Sequence, residues 1–225
     1  MRARIAICLL AAFMAACAGL GIGRGARSEF EEGLRLYNAG QYAQAAPRFQ
    51  RATEQEPEYA EAFLFLGRSY LNQGMWGKAL PPLRTAWRLS PEESRGQMLD
   101  VLMDALIGAG TSAFEAGNYT DAIGYLREGL QLAPEGSAAG RAVSEQMLNL
   151  GGRLLSEGRP ADAVGMFQAL LQSGPDTRTS LSAYLGLAKA YLRDGRYMEA
   201  LRAATEATRL DPGLHAPNRL LDSLR

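Results

Sequence analysis

The sequence predicts an all-α fold of about five consecutive two-helix units closed by a C-terminal capping helix. Three observations predict it. A 34-residue unit returns five times, over 26–59, 60–93, 103–136, 144–177 and 181–214. Apolar residues within the unit recur at helical spacing. No segment shows the sustained alternation of period two that a half-buried strand needs.

The fixed residues of the unit justify each element in turn. Position 8 is Gly33, Gly67, Gly110, Gly151 or Ala188, and position 20 is Ala45, Ala79, Ala122, Ala163 or Ala200. Small residues at both places let the two helices of a unit approach closely. Positions 11, 12 and 24 supply the apolar stripe: Leu36, Tyr37 and Phe49 in the first copy, Tyr70, Leu71 and Leu83 in the second. Position 15 is Gly40, Gly74, Gly117, Gly158 and Gly195. Glycine there ends the first helix, because it takes a left-handed cap at little cost. Position 17 is Tyr42, Trp76, Tyr119, Pro160 and Tyr197. Position 32 is Pro57, Pro91, Pro134, Pro175 and Pro212, expected to stop the second helix and pre-set the first turn of the next. Ser90-Pro91-Glu92-Glu93 reads as a serine N-cap, proline at N1 and glutamate at N3.

Position 22 is the odd one: Pro47, Pro81, Gly124, Gly165 and Arg202. An interior proline costs a helix about 3 kcal/mol. With the second helix starting near Ala43, Pro47 falls close to the unsatisfied first turn. The expectation is a bend or a loosened turn rather than a break, on the solvent side.

This pattern resembles the tetratricopeptide repeat, a helix–turn–helix family, and the resemblance covers nearly all of the chain after its first segment. It implies a right-handed superhelical solenoid whose first helices line a concave groove that binds a protein or peptide segment. The family's groove positions carry Phe30, Leu34, Tyr37 and Asn38 in copy one, and Leu64, Arg68, Leu71 and Asn72 in copy two. They carry Ile107, Thr111, Phe114 and Glu115 in copy three, and Leu185, Lys189, Leu192 and Arg193 in copy five. Tyr37, Asn38, Arg68, Asn72, Phe114, Lys189 and Arg193 are the candidate partner contacts. The apolar members also fit packing between helices, whereas Asn38, Arg68 and Asn72 are polar groups that packing explains less well. One branch of the family grips a chain-terminal carboxylate with lysine and asparagine in the first repeat. Phe30 and Leu34 stand there instead, which argues against that ligand.

The regular spacing breaks after copy two. Nine residues, Ser94 to Leu102, precede copy three, seven precede copy four and three precede copy five. The first insertion has helical character and would lengthen a helix by roughly 14 Å. The expectation is an insertion tolerated on a loop of the array; the alternative is a division into two sub-arrays, 26–93 and 103–214. Residues 215–225 read as the capping helix, with Leu220, Leu221 and Leu224 on one stripe covering the last repeat.

Residues 1–17 have the form of an export signal: Arg2 and Arg4, then an uncharged apolar run. The run ends in Met14-Ala15-Ala16-Cys17, which looks like a lipobox and makes Cys17 the lipid carrier. Acyl chains contribute about 0.8 kcal/mol per buried CH₂, so several anchor a protein firmly. Ala16-Cys17-Ala18 also fits an A-x-A cleavage site that frees a soluble periplasmic protein, and residues 5–22 are just long enough for an uncleaved anchor. Ala18 after the cysteine implies, by the same resemblance, the periplasmic face of the outer membrane. Residues 18–27 are expected to be a flexible tether before an array over 28–214. Gly21 to Ala26 matches G-x-G-x-x-A on paper but has no strand before it, so no dinucleotide cofactor is expected.

Composition narrows the function classes. The chain has 225 residues, 24 basic and 24 acidic, which gives no basic excess for nucleic acid. Its two cysteines, Cys8 and Cys17, both lie in the first segment, so the body has no cysteine-based metal site. The one histidine, His215, lies in the capping segment. No nucleophile motif or metal-ligand spacing occurs. The expectation is a non-enzymatic, cofactor-free, lipid-anchored scaffold, similar in layout to small repeat lipoproteins that serve pili, outer-membrane barrel assembly or murein hydrolases. A soluble periplasmic module and an enzyme with a cryptic groove site are the alternatives.

Overall fold

The computed structural model describes residues 23–224. Among these residues there are eleven helices and no strand. The signal segment, Cys17 and residues 18–22 of the expected tether lie outside them. In order the helices are α1 (Arg24–Asn38), α2 (Tyr42–Gln55), α3 (Ala60–Leu71), α4 (Trp76–Leu89), α5 (Glu92–Glu115) and α6 (Tyr119–Leu132). Then come α7 (Ala138–Ser156), α8 (Pro160–Gln172), α9 (Thr177–Arg193), α10 (Tyr197–Leu210) and α11 (Pro217–Leu224). None of the described helices is long and apolar enough to cross a membrane.

The chain divides into two compact units at Glu92/Glu93. The first insertion is therefore not a loop excursion. It is helix, it makes α5 24 residues long against 12 for α3, and it stands where the chain divides. The other two insertions likewise extend α7 to 19 residues and α9 to 17. Lengthening a helix at its start adds backbone bonds within the helix, so it leaves no more unpaired groups than the shorter helix had. The expected tether also ends early, since α1 begins at Arg24 and buries Ala26.

Within a unit the repeat positions do what their residues dictate. All five position-15 glycines are left-handed, with φ between 69° and 77°. The next residue closes the motif: Gln41 N–H donates to Leu36 O, Met75 to Tyr70 O, Asn118 to Ala113 O, Arg159 to Leu154 O and Arg196 to Tyr191 O. That same residue opens the second helix of the pair as its N-cap. The five position-20 alanines are completely buried. A Cβ on Gly33 would lie 2.7 Å from the Phe49 ring, and one on Gly67 2.5 Å from Leu83 Cδ2. Position 8 is thus small because position 24 is large. The fifth copy shows the converse, Ala188 at position 8 with Ala204 at position 24, both buried.

Prolines divide into two kinds. Those at position 32 stop the second helix but lie in the turns, and none is the first residue of the next helix. Ser90, the expected N-cap, donates its hydroxyl to Ala86 O at the end of α4. At position 22, Pro47 and Pro81 lie inside continuous helices, α2 and α4, and both are exposed. Pro47 comes at the sixth residue of α2, so only the first intrahelical bonds are affected. The solvent-facing assignment of that position holds; helix α2 starts at Tyr42, not after the proline.

Candidate functional site

The first helix of each copy carries the expected groove residues, and the two units use them differently. In the first unit the space between α1 and α3 is filled by rings. Phe65 stacks on Phe49 at 5.5 Å and meets the edges of Tyr37 at 5.3 Å and Phe30 at 5.8 Å. Aromatic pairs at these separations add stabilisation beyond their buried area. Asn72 Nδ2 donates to the Tyr37 hydroxyl at 3.1 Å and to Arg68 O at 2.9 Å. The Arg68 guanidinium lies 5.7 Å over the Phe65 ring. Tyr37, Arg68 and Asn72 are therefore brought together, partly for each other. Asn38 is exposed beside them at the end of α1.

In the second unit three first helices, α5, α7 and α9, are joined by bonds repeating at nearly constant spacing. Gln146 Nε2 donates to Thr111 Oγ1 at 2.8 Å, and Arg153 donates to both Glu115 oxygens, at 2.7 and 3.3 Å. Arg193 Nη1 donates to Leu155 O. The Arg153 guanidinium holds the Glu115 carboxyl below the usual carboxylate range, chiefly through those hydrogen bonds. It also lies 4.6 Å over the Phe114 ring. Phe114 is only 3% exposed and packs against Tyr119. It belongs to the core, and Arg153 covers it.

Between α7 and α9 the filling stops. A cavity of about 380 Å³ opens there, lined by Leu148, Gly152, Leu155 and Ser156 of α7, Phe167 of α8, and Ser182, Gly186, Lys189 and Arg193 of α9. Two glycines border the space. A Cβ on Gly186 would lie 2.5 Å from Phe167 Cζ, so that residue must be small for the ring to lie where it does. Gly152 has nothing within 4 Å of a built Cβ, so it faces the opening. The ionisable lining residues are Lys189 and Arg193, both cationic. Lys189 forms no ion pair with any described residue, whereas Arg193 is anchored on a backbone carbonyl.

Sequence reasoning placed Lys189 and Arg193 here. It missed Leu148, Gly152, Leu155, Phe167 and Gly186. The available signal was two helix-interior glycines, Gly152 and Gly186, that fall outside the repeat's own glycine positions. Among the described residues no group of three metal-ligating side chains occurs. His215 is exposed in the turn before α11.

A family model described as the tetratricopeptide repeat matches residues 30–94 and 148–215. Solved structures of similar shape include a TPR-repeats protein from Bacteroides fragilis. It is 15% identical, with 88% of this chain and 97% of that chain covered, at a TM-score of 0.59. YrrB, described as a TPR protein with an unusual peptide-binding site, is 18% identical over 85% of this chain and 89% of its own, at a TM-score of 0.38. MamA is 18% identical over 84% and 93%, at a TM-score of 0.41. At such identities the likeness concerns the fold alone, which in the Bacteroides protein is shared along nearly the whole of both chains.

Proposed function

The chain belongs to the tetratricopeptide repeat family, whose members are in general protein-binding modules rather than enzymes, and from that premise we propose a lipid-anchored scaffold of the bacterial envelope. It binds a segment of a protein partner through the first-helix face of its repeats. The observation that carries the reading is the cavity between α7 and α9, bordered by Lys189 and Arg193 and open on its Gly152 side. A packed repeat has no structural need for such a hollow, while a partner side chain does. Asn38, Arg68, Asn72 and Tyr37 form a second, shallower contact region on the first unit.

The anchor reading rests on Met14-Ala15-Ala16-Cys17, and Ala18 after the cysteine favours the periplasmic face of the outer membrane. The partner would then be a component of an envelope machine, with pilus or secretion assembly and outer-membrane assembly the roles that fit an anchored adaptor. Ala16-Cys17-Ala18 supports a second reading, a soluble periplasmic module.

Two measurements test this. Mass spectrometry of the mature N-terminus is expected to find acylated Cys17; an unmodified terminus at Gly19 would leave only the soluble reading. Quantitative co-capture from detergent-solubilised envelope, comparing the parent chain with Gly152→Leu, is expected to lose its specific partner in the variant. A partner retained by Gly152→Leu and by Arg68→Ala would sink the groove reading.

A further inference from the structure

We infer that the α7–α9 cavity takes one large apolar side chain of the partner segment, and that a glutamate or aspartate beside that residue pairs with Lys189. The inference rests on the groove reading above and adds the chemistry of its occupant.

The shape of the hollow argues for the apolar anchor. Leu148, Leu155 and Phe167 supply its apolar lining. Its volume of about 380 Å³ gives ample room for one bulky side chain. Interface anchors of this kind are bulky residues filling well-defined pockets. Gly151 and Gly186 are required by packing, because a Cβ on either would run into the Phe167 ring at 2.6 or 2.5 Å. Gly152 is not so required. Alanine would fit there and would suit the helix interior better. What glycine preserves at that position is the open space itself.

Charge argues for the carboxylate. Lys189 borders the cavity and has no ion-pair partner among the described residues. Arg193, one turn further along α9, borders it too and keeps guanidinium N–H groups beyond the one given to Leu155 O. Among the described residues no acidic side chain lines the space. A segment crossing α9 with its apolar residue in the hollow therefore presents its neighbouring side chains to two cations, and an acidic one is the complementary choice.

Four dye-labelled peptides of eleven residues, acetylated and amidated at their ends, test this against the full chain in detergent. Three carry a central phenylalanine flanked by glutamates, glutamines or lysines; the fourth carries a central alanine flanked by glutamates. Fluorescence anisotropy is expected to show the glutamate–phenylalanine peptide binding at least about ten-fold tighter than the other three. Raising the salt should weaken it several-fold, as for a solvent-exposed ion pair. Gly152→Leu should reduce that affinity by more than about ten-fold while the thermal midpoint stays level or rises, and Gly152→Ala provides a milder filling should leucine disturb the helix. Lys189→Gln should abolish the preference for glutamate over glutamine and keep the preference for phenylalanine over alanine. Equal binding of the three phenylalanine peptides, lost in Gly152→Leu, overturns the carboxylate and leaves the groove standing. Binding unaffected by filling the cavity, or no binding by any of the four, overturns the inference as a whole.

Discussion

The two units share one repeat and fill the same place in opposite ways. In the first, the space between successive first helices holds Tyr37 and Phe65, ring against ring, with Asn72 bonded to the Tyr37 hydroxyl. In the second, the equivalent space between α7 and α9 holds two glycines and a cavity. The polar groups follow suit. Arg68 lies over a ring in the first unit, while Lys189 borders the open space in the second with no ion pair to any described residue. Both units keep the position-8, 15 and 20 rules intact, so the difference is not one of fold quality. The residues the repeat leaves free are where the second unit departs from close packing.

The two units should differ most at the ring under each first helix. Phe49 is fully buried and touches the rings of Phe30, Tyr37 and Phe65. Phe49→Ala should cost about 3–5 kcal/mol in urea-induced unfolding. Phe167→Ala should cost less, because a cavity already borders that ring. Hydrogen exchange should show the first substitution acting on α1 to α4. If the two substitutions cost the same, the contrast between a filled and a hollow unit is wrong.

Glycine-to-alanine substitutions sharpen it, since the sign itself should change. At Gly67 a Cβ would run into the Leu83 side chain and lie 3.3 Å from Ala79 O. Overpacking of this kind costs about 1–3 kcal/mol, which exceeds the helix-propensity gain of alanine. At Gly152 nothing opposes the methyl, and alanine should raise stability by up to about 1 kcal/mol. Thermal midpoints of the two variants, measured side by side, should move in opposite directions.

The second unit's long first helices differ at their starts as well. Ser137 Oγ accepts from Gly140 N at 3.1 Å, and Asp176 Oδ1 accepts from Thr179 N at 3.0 Å, so α7 and α9 carry side-chain caps. The first-helix starts of the other unit, at Gly23 and Tyr59, have none. Ser137→Ala should cost about 1 kcal/mol, with faster amide exchange confined to the first turns of α7. An equal loss of protection in α8 would mean the cap supports more than its own helix.

Much of this was legible in the sequence because the repeat writes one physical requirement five times. Five glycines at position 15 announce five left-handed caps, and Pro47 is tolerated because it lies near the start of an exposed helix face. The insertions were harder. Ser94 to Leu102 has helical character, but whether it loops out or extends α5 depends on what it packs against, which spacing does not record. The cavity was harder still. Gly152 and Gly186 lie thirty-four residues apart in the chain, and the hollow they leave exists only once Phe167 is placed between their helices. Phe114 shows the reverse error: a groove position by number is a core position when Arg153 covers it.

The smallest expected effect lies at the other end of the second unit's first-helix layer. Asp100 and Asp104 stand one turn apart on α5, and the Asp104 carboxyl is pushed above the ordinary aspartate range by partial burial first and by the Asp100 charge second. In the first unit two acids of the first helix are matched: Glu29 pairs with Arg48 at 3.1 Å and Glu32 with Arg35 at 2.7 Å. The folded-state pKa of Asp104 is raised, so its charged form is the one the fold disfavours. The penalty is present at neutral pH, fades as pH falls through the folded value, and is absent below the unfolded value near ~3.9. Like charges at this spacing cost only about 0.2–0.5 kcal/mol on an exposed helix. Asp104→Asn should therefore raise the thermal midpoint slightly at pH 7 and leave it unchanged at pH 3. A gain that persists at pH 3 would trace to the amide's packing, and the charge difference between the two units would then have no part in their stability.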